Sequence, residues 1–174
     1  MKKSDVQIVS QLRVNGRMPL TVLSRKTGLP VSTIHERLKE HVAQGLLRPT
    51  MLLGFGKLGF ATRAWILLGV EQSEKEKLYE FLKRSSQVNS LFRINNGWNA
   101  LMDCVFKDMY GLENFLEQLE NKFHIRQKQV HYVLDEFKVE QFFADEPIAE
   151  LLMKEGVPSA KQPLNTSKGV QGCK

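Results

Sequence analysis

The chain has 174 residues, with 25 Lys and Arg against 19 Asp and Glu, so its formal net charge is +6. This length holds one ordinary domain or two small ones, and no apolar run reaches the roughly 18 residues that span a membrane. Because the N-terminus has no apolar signal-peptide core and two cysteines cannot build a disulfide framework, we expect a cytoplasmic protein with Cys104 in its core.

Three short helices are predicted in the first 44 residues. The first begins with Ser4 or Asp5 as its cap and runs to about residue 14. The second spans residues 19–27 and the third spans residues 31–44, with Gly28 at the turn between them. Apolar residues recur at near-helical spacing along the third helix and predict a buried arc of Val31, Ile34, Leu38 and Val42. Two helices joined by a tight glycine turn form a helix-turn-helix.

The opposite face of the third helix carries side chains of the kind that bind DNA. Ser32 and Thr33 at the helix start suit phosphate, and Glu36 suits a base edge. Arg37 either faces base edges or braces the preceding loop. The predicted DNA-binding residues are Arg25, Lys26, Ser32, Thr33, His35, Glu36, Arg37, Lys39 and Arg48. The alternative is a polar helix face that only meets water.

The distribution of charge favours DNA binding over that alternative. Residues 1–50 hold nine Lys and Arg against three acidic residues, residues 51–146 hold 12 against 14, and residues 147–174 hold four against two. A positive excess this large on one small module, beside a central region with a slight negative charge, is typical of proteins that bind a polyanion.

A linker follows the helices. Residues 46–53 are apolar, and Pro49 restricts them to an edge strand or a linker. Three glycines in residues 54–60 indicate a hinge. We therefore predict a DNA-binding domain over residues 1–53, a hinge over 54–60, and a dimerisation and effector domain over 61–146. The C-terminal extension, 147–174, is expected to form a short helix followed by a disordered tail.

Residues 61–140 alternate between strand and helix patterns in the order βαββαβ. Strands are predicted at 64–70, 88–94, 98–106 and 129–139, and a helix at 73–85 begins with a Ser73–Glu76 capping box. A second helix carries Leu112, Phe115, Leu116, Leu119 and Phe123 on one side. This order predicts an α+β fold with a four-stranded antiparallel sheet and both helices on one face. Because no element remains to cover the other face, we expect self-association through it.

Several short motifs, in this order, resemble the leucine-responsive regulatory protein/AsnC (Lrp/AsnC) family of prokaryotic transcription regulators over residues 4–140. They are Asn15-Gly16-Arg17, Thr27-Gly28-Leu29, Ser32-Thr33-Ile34, Arg37-Leu38-Lys39, Gln44-Gly45-Leu46-Leu47 and Lys57-Leu58-Gly59-Phe60. The resemblance implies a winged-helix-like helix-turn-helix followed by a ferredoxin-like (RAM/ACT-like) domain. It also implies a nucleoid-associated, sequence-specific regulator that binds double-stranded DNA as a homodimer, tetramer or octamer and responds to a small-molecule effector.

Three positions depart from the family pattern. Pro30 replaces the usual Ser cap of the third helix, and His41 replaces a buried Leu and is predicted to pack. The stretch that matches the family's effector loop is Asn95, Asn96, Gly97, Trp98 and Asn99. Its acid is replaced by the amide of Asn99, which argues against a free amino acid as effector and favours a plain hairpin turn with a packed Trp98.

Two other functions are compatible with this architecture. Sirohaem decarboxylases resemble the same two-domain arrangement and use histidines near the second and third strands, but residues 91–105 contain none. The four histidines, His35, His41, His124 and His131, lack metal-ligand spacing, so we expect no enzyme activity, metal or cofactor. An architectural DNA binder of low specificity is the other alternative, and a steep salt dependence without site preference would indicate it.

Overall fold

The computed structural model describes residues 1–154, and its contacts divide them into two compact units. One unit contains Met1–Thr50 and the segment that begins at Lys138, and the other is Met51–Phe137. None of the helices in residues 1–154 is long and apolar enough to cross a membrane. The predicted domain limits stay predictions, and the C-terminal residues predicted to be disordered lie outside the described part.

Four helices build the first unit: α1 (Lys3–Val14), α2 (Leu20–Thr27), α3 (Val31–Ala43) and α6 (Glu146–Lys154). Ile8, Leu23 and Ile34 are fully buried and form the centre of its core, one from each of the first three helices. Gly28 ends α2 with a φ of 70°, a left-handed conformation that a residue with a side chain rarely adopts. The predicted three-helix arrangement and the short C-terminal helix are confirmed.

The buried face of α3 is rotated from the predicted one. Val31 and Val42 are 39% and 45% exposed, whereas Ile34 and His41 are buried. Since successive residues turn by about 100°, Ile34, Leu38 and His41 lie within one narrow arc and the two valines lie at its border. The prediction that His41 packs is confirmed, and the predicted arc through Val31 and Val42 is wrong.

The helix caps also differ from expectation. Helix α1 begins at Lys3, and Asp5 acts from within its first turn, where its Oδ2 accepts a hydrogen bond of 3.0 Å from the Lys2 backbone N–H. No side chain caps α3, as the presence of Pro30 predicted. The predicted Ser73–Glu76 box is absent from α4 (Lys75–Arg84), because a 3₁₀ turn at Gln72–Glu74 precedes this helix.

The second unit is the predicted βαββαβ domain. Strands β1 (Thr62–Val70), β2 (Val88–Arg93), β3 (Ala100–Phe106) and β4 (Ile125–Tyr132) form one antiparallel sheet in the order β2-β3-β1-β4. Helices α4 and α5 (Met109–Lys122) pack on one face, where Ile66, Leu68 and Met102 are fully buried. Residues 46–53, which were predicted to be an edge strand or a linker, form no strand and are mostly exposed.

Strand β4 begins and ends earlier than the pattern indicated. The last residue of β4, Tyr132, pairs with Ala64 of β1. Beyond that pair, the only backbone hydrogen bond to β1 runs from the Val133 N–H to the Arg63 carbonyl at 2.9 Å. Leu134 and Phe137 continue the apolar pattern but are 88% and 95% exposed. The prediction of a strand over 129–139 is therefore wrong at both ends, because pairing with β1 and not hydrophobic alternation sets the limits.

The face of the sheet opposite α4 and α5 is only partly covered within the described unit, where Arg63 Cζ lies 5.3 Å from the Phe55 ring centroid and the guanidinium contacts Glu136. Trp65 and Leu67 on β1 and Leu101 on β3 are half-buried there, and the Trp65 and Phe92 rings stack with centroids 6.4 Å apart. A buried ion pair lies among them: Arg63 Nε and Nη2 donate to the two Asp103 carboxylate oxygens at 2.7 and 2.8 Å. Asn89 Nδ2 donates to the same carboxylate at 2.6 Å, so this charge is fully partnered.

Candidate nucleic-acid interface

The outer surface of α3 is the centre of the candidate interface. Ser32, His35, Glu36 and Lys39 are exposed along it and Thr33 is half-buried. Because no side chain caps α3 and its first turn contains no acidic residue, the backbone N–H groups at its N-terminus face outward without a negative side chain beside them. Such a helix start favours an anion such as a DNA phosphate.

Arg37 is held away from this outer surface. Its Nη1 donates to Asp5 Oδ1 at 2.6 Å and also contacts Ser4 Oγ on α1. The Asp5 side chain is only 9% exposed and that of Arg37 only 22%. Arg37 thus links α3 to α1, whereas the predicted contact of Arg37 with base edges stays a prediction.

A buried polar cluster surrounds that brace. Burial by itself would raise the pKa of Asp5, but the Lys2 N–H, the Arg37 guanidinium and the charge of His41 outweigh it and lower this pKa below its usual value. His41 Nε2 lies 3.6 Å from Asp5 Oδ1, and neither ring nitrogen of His41 has a hydrogen-bond partner within the described residues. The cluster therefore fixes the carboxylate in its charged form.

The cations predicted to bind phosphate lie on exposed parts of the same unit. Arg25 and Lys26 are in the last turn of α2, and Arg48 follows α3. Lys26 Nζ donates to Gln11 Oε1 on α1 at 2.7 Å, which orders an otherwise mobile side chain. Sequence reasoning missed this role of Gln11, since a glutamine on a polar helix face carries no distinctive signal.

The candidate effector loop joins β2 to β3 as a tight hairpin. Asn96 and Gly97 both have positive φ, 59° and 85°, as an Asn-Gly turn requires. Asn99 is buried, its Oδ1 accepts from the Val70 N–H at 2.6 Å, and its carbonyl accepts from the Tyr79 hydroxyl at 2.9 Å. Asn99, which stands where the family pattern has an acid, thus makes hydrogen bonds within the protein. Asn95 and Asn96 are exposed, and Trp98 is half-buried.

Residues 1–154 contain no group of three or more His, Cys, Asp or Glu that could hold a metal ion. Burial, and then the negative charge of Asp103, raise the pKa of the Cys104 thiol to about 12, so this sulfur is protonated at neutral pH.

Comparisons with known proteins agree with this geometry. Residues 1–40 match the AsnC-type helix-turn-helix domain. The chain is 27% identical over 116 residues to the HTH-type transcriptional regulator FL11 of Pyrococcus furiosus, which covers 66% of this chain and 77% of that protein. The FL11 protein of Pyrococcus horikoshii is 26% identical over 114 residues, which covers 65% and 76%.

Solved structures share the fold. The transcriptional regulator NMB0573 of Neisseria meningitidis, crystallised as a complex with L-Met, superposes with a TM-score of 0.73 at 24% identity, over 80% of this chain and 93% of that one. AsnC of E. coli superposes with a TM-score of 0.71 at 15% identity, over 80% and 95%. The chain therefore carries an AsnC-type helix-turn-helix domain, and, as its motifs predicted, it is similar in sequence to HTH-type transcriptional regulators and shares its fold with AsnC-type ones.

Proposed function

We propose that the chain is a sequence-specific DNA-binding regulator that acts as a dimer, with α3 of each copy in the major groove. The observation that carries this proposal is the exposed polar surface of α3, which starts at an uncapped helix end and is flanked by exposed cations. Ser32 and Thr33 would bind phosphate with the helix start, Glu36 would read base edges, and Lys39 would supply phosphate charge. Arg37 would act indirectly by holding α3 on α1.

Selection of bound sequences from a random DNA pool at near-physiological salt tests this proposal. A regulator of this kind selects a near-palindrome whose half-sites lie about 34 Å apart, one turn of the double helix. Binding without a preferred sequence would favour the architectural alternative. No binding at any salt concentration would contradict both.

A pair of lysine variants tests the contact surface. Lys39→Gln should reduce the magnitude of the slope of log affinity against log salt by about 2 for the dimer, because one phosphate contact is lost in each copy. Lys77→Gln makes the same chemical change at an exposed position of α4 in the other unit, and we expect it to leave the slope unchanged. Equal slopes for both variants would remove Lys39 from the interface.

We propose a second copy of the chain as the cover for the open sheet face. That face presents half-buried Trp65, Leu67 and Leu101 beside an internally satisfied ion pair, a combination suited to an isologous contact. Trp65→Glu should shift the sedimentation of the protein to the monomer at micromolar concentration. Tyr110→Glu, a control on a 75% exposed aromatic of α5, should not.

For an effector, we propose that the β2–β3 loop takes a small molecule other than a free α-amino acid. Asn99 makes internal hydrogen bonds with both its amide oxygen and its carbonyl, so this position offers no carboxylate for an ammonium group. Thermal-shift measurements with each standard amino acid, L-Met included, test this. A dose-dependent increase in melting temperature that Asn96→Ala or Trp98→Ala removes would show that the loop does bind an amino acid.

A further inference from the structure

The C-terminal segment of the described chain packs on the helix-turn-helix unit. Helix α6 lies along α1, and two polar contacts join the helices. Gln7 Nε2 donates to Glu146 Oε1 at 2.9 Å, and Lys3 Nζ lies 3.2 Å from Glu150 Oε2. These are contacts between residues more than 130 positions apart in sequence.

Burial at the contact shows that α6 covers a face of α1. Lys3, Gln7, Ser10 and Gln11 lie on one side of α1 by helical spacing. Most residues of this side are polar, yet Ser10 at its centre is fully buried. Ala149 of α6 is fully buried as well, whereas Leu151 on the same helix is 56% exposed.

A second attachment holds the chain that leads into α6. Arg13, in the last turn of α1, donates from Nε to the Phe142 carbonyl at 2.9 Å. Its Nη2 lies 2.9 Å from Glu140 Oε2 and also contacts the Glu140 carbonyl. Residues 140–150 are therefore fastened along the whole length of α1.

Helix α1 links these contacts to the recognition helix. One side of α1 carries α6, and the other side carries Asp5, whose carboxylate accepts from Arg37 of α3. We infer that residues 138–154 are an integral layer of the DNA-binding unit, which positions α3 for operator binding through α1. This inference rests on the proposed DNA-binding function and extends it to a segment outside the residues that match the helix-turn-helix domain.

The charge of the segment makes the inference sharply testable. Residues 138–154 hold two lysines and four carboxylates, so they lower the positive charge of the unit that contains them. If the segment had only an electrostatic influence, its loss or a more positive α6 would strengthen binding to DNA. If the segment positions α3, the same changes weaken binding.

Two lysine substitutions on α6 separate these effects. Ala149→Lys places a charge in the fully buried contact and should displace α6, which we expect to weaken operator binding by about ten-fold or more. Leu151→Lys adds the same charge on the exposed side and should change affinity by less than about two-fold. Both are made in the full chain, and the operator is the DNA selected by the wild-type protein.

A charge exchange supplies the rescue. Glu150→Lys should weaken binding although it makes the protein more positive, because it repels Lys3 across a 3.2 Å contact. Adding Lys3→Glu restores both the ion pair and the wild-type net charge, so the double variant should bind within about two-fold of wild type.

Amide hydrogen exchange without DNA keeps the inference separate from the proposed function. In Ala149→Lys, exchange should accelerate in α1 and α3, while the strands of the sheet stay protected. If the wild-type chain binds no DNA, the proposed function fails, but the exchange result still decides whether α6 holds α1. Unchanged exchange and affinity in Ala149→Lys, or equal losses in Leu151→Lys, would overturn the inference.

Discussion

The brace between Arg37 and Asp5 leads to the most direct prediction about the DNA-binding unit. Arg37→Met keeps the long apolar stem of the side chain and removes both the hydrogen bond to Asp5 and the contact with Ser4. The Asp5 carboxylate, 9% exposed, then keeps the Lys2 N–H and the neighbouring His41 but loses its strongest cation. Loss of a charge-assisted bond to a nearly buried partner costs about 1–3 kcal/mol of unfolding free energy, and we expect about 2.

Urea unfolding followed by circular dichroism measures this change. For a small domain, each 1 kcal/mol lowers the melting temperature by about 4–8 °C, so the shift is readily detected. Lys39→Met removes a positive charge from an exposed position of the same helix and should cost less than about 0.5 kcal/mol. If Arg37→Met unfolds like Lys39→Met but loses operator binding, Arg37 contacts DNA directly and the bracing argument is refuted.

Three further predictions concern other buried groups. Because the pKa of Asp5 is lower in the folded protein than its unfolded value near 4, the charge of Asp5 stabilises the fold above that pH. The difference in unfolding free energy between wild type and Asp5→Asn should be largest near pH 6 and disappear as the pH falls through the folded pKa. A difference that persists at pH 2 would contradict this. Burial and a neighbouring carboxylate raise the pKa of Cys104 to about 12. In a Cys173→Ser background, iodoacetamide at pH 8 should therefore label the folded chain roughly a thousand-fold more slowly than the urea-unfolded chain. Equal labelling rates would contradict the burial of Cys104. Leu68→Ala, at a fully buried position of β1, should lower the unfolding free energy in urea by about 2–5 kcal/mol. Leu134→Ala, at an 88% exposed position, should lower it by less than about 0.5 kcal/mol. Equal losses would mean that Leu134 is also buried.

Features that depend on neighbouring residues followed directly from the sequence. The glycine turn between α2 and α3 and the Asn96–Gly97 hairpin both have the positive φ values that these residue types favour. The spacing of the apolar residues determined the order of helices and strands and the α+β fold class. A repeat of about 3.6 residues reflects a helix, and a repeat of two reflects a strand. The uncapped start of α3 likewise followed from a single residue, Pro30.

Features that depend on contacts between distant segments were decided only by the tertiary structure. The limits of β4 come from its register with β1, and Leu134 and Phe137 preserve the apolar pattern outside any pairing. The partner of Arg37 comes from a different helix, so its position on α3 alone was compatible with either a base contact or a brace. The docking of α6 on α1 joins faces that mix polar residues with small ones such as Ser10 and Ala149, and neither face stands out in isolation. Hydrophobic periodicity reports how one element meets a core, but it carries no information about which polar surfaces of remote elements complement each other.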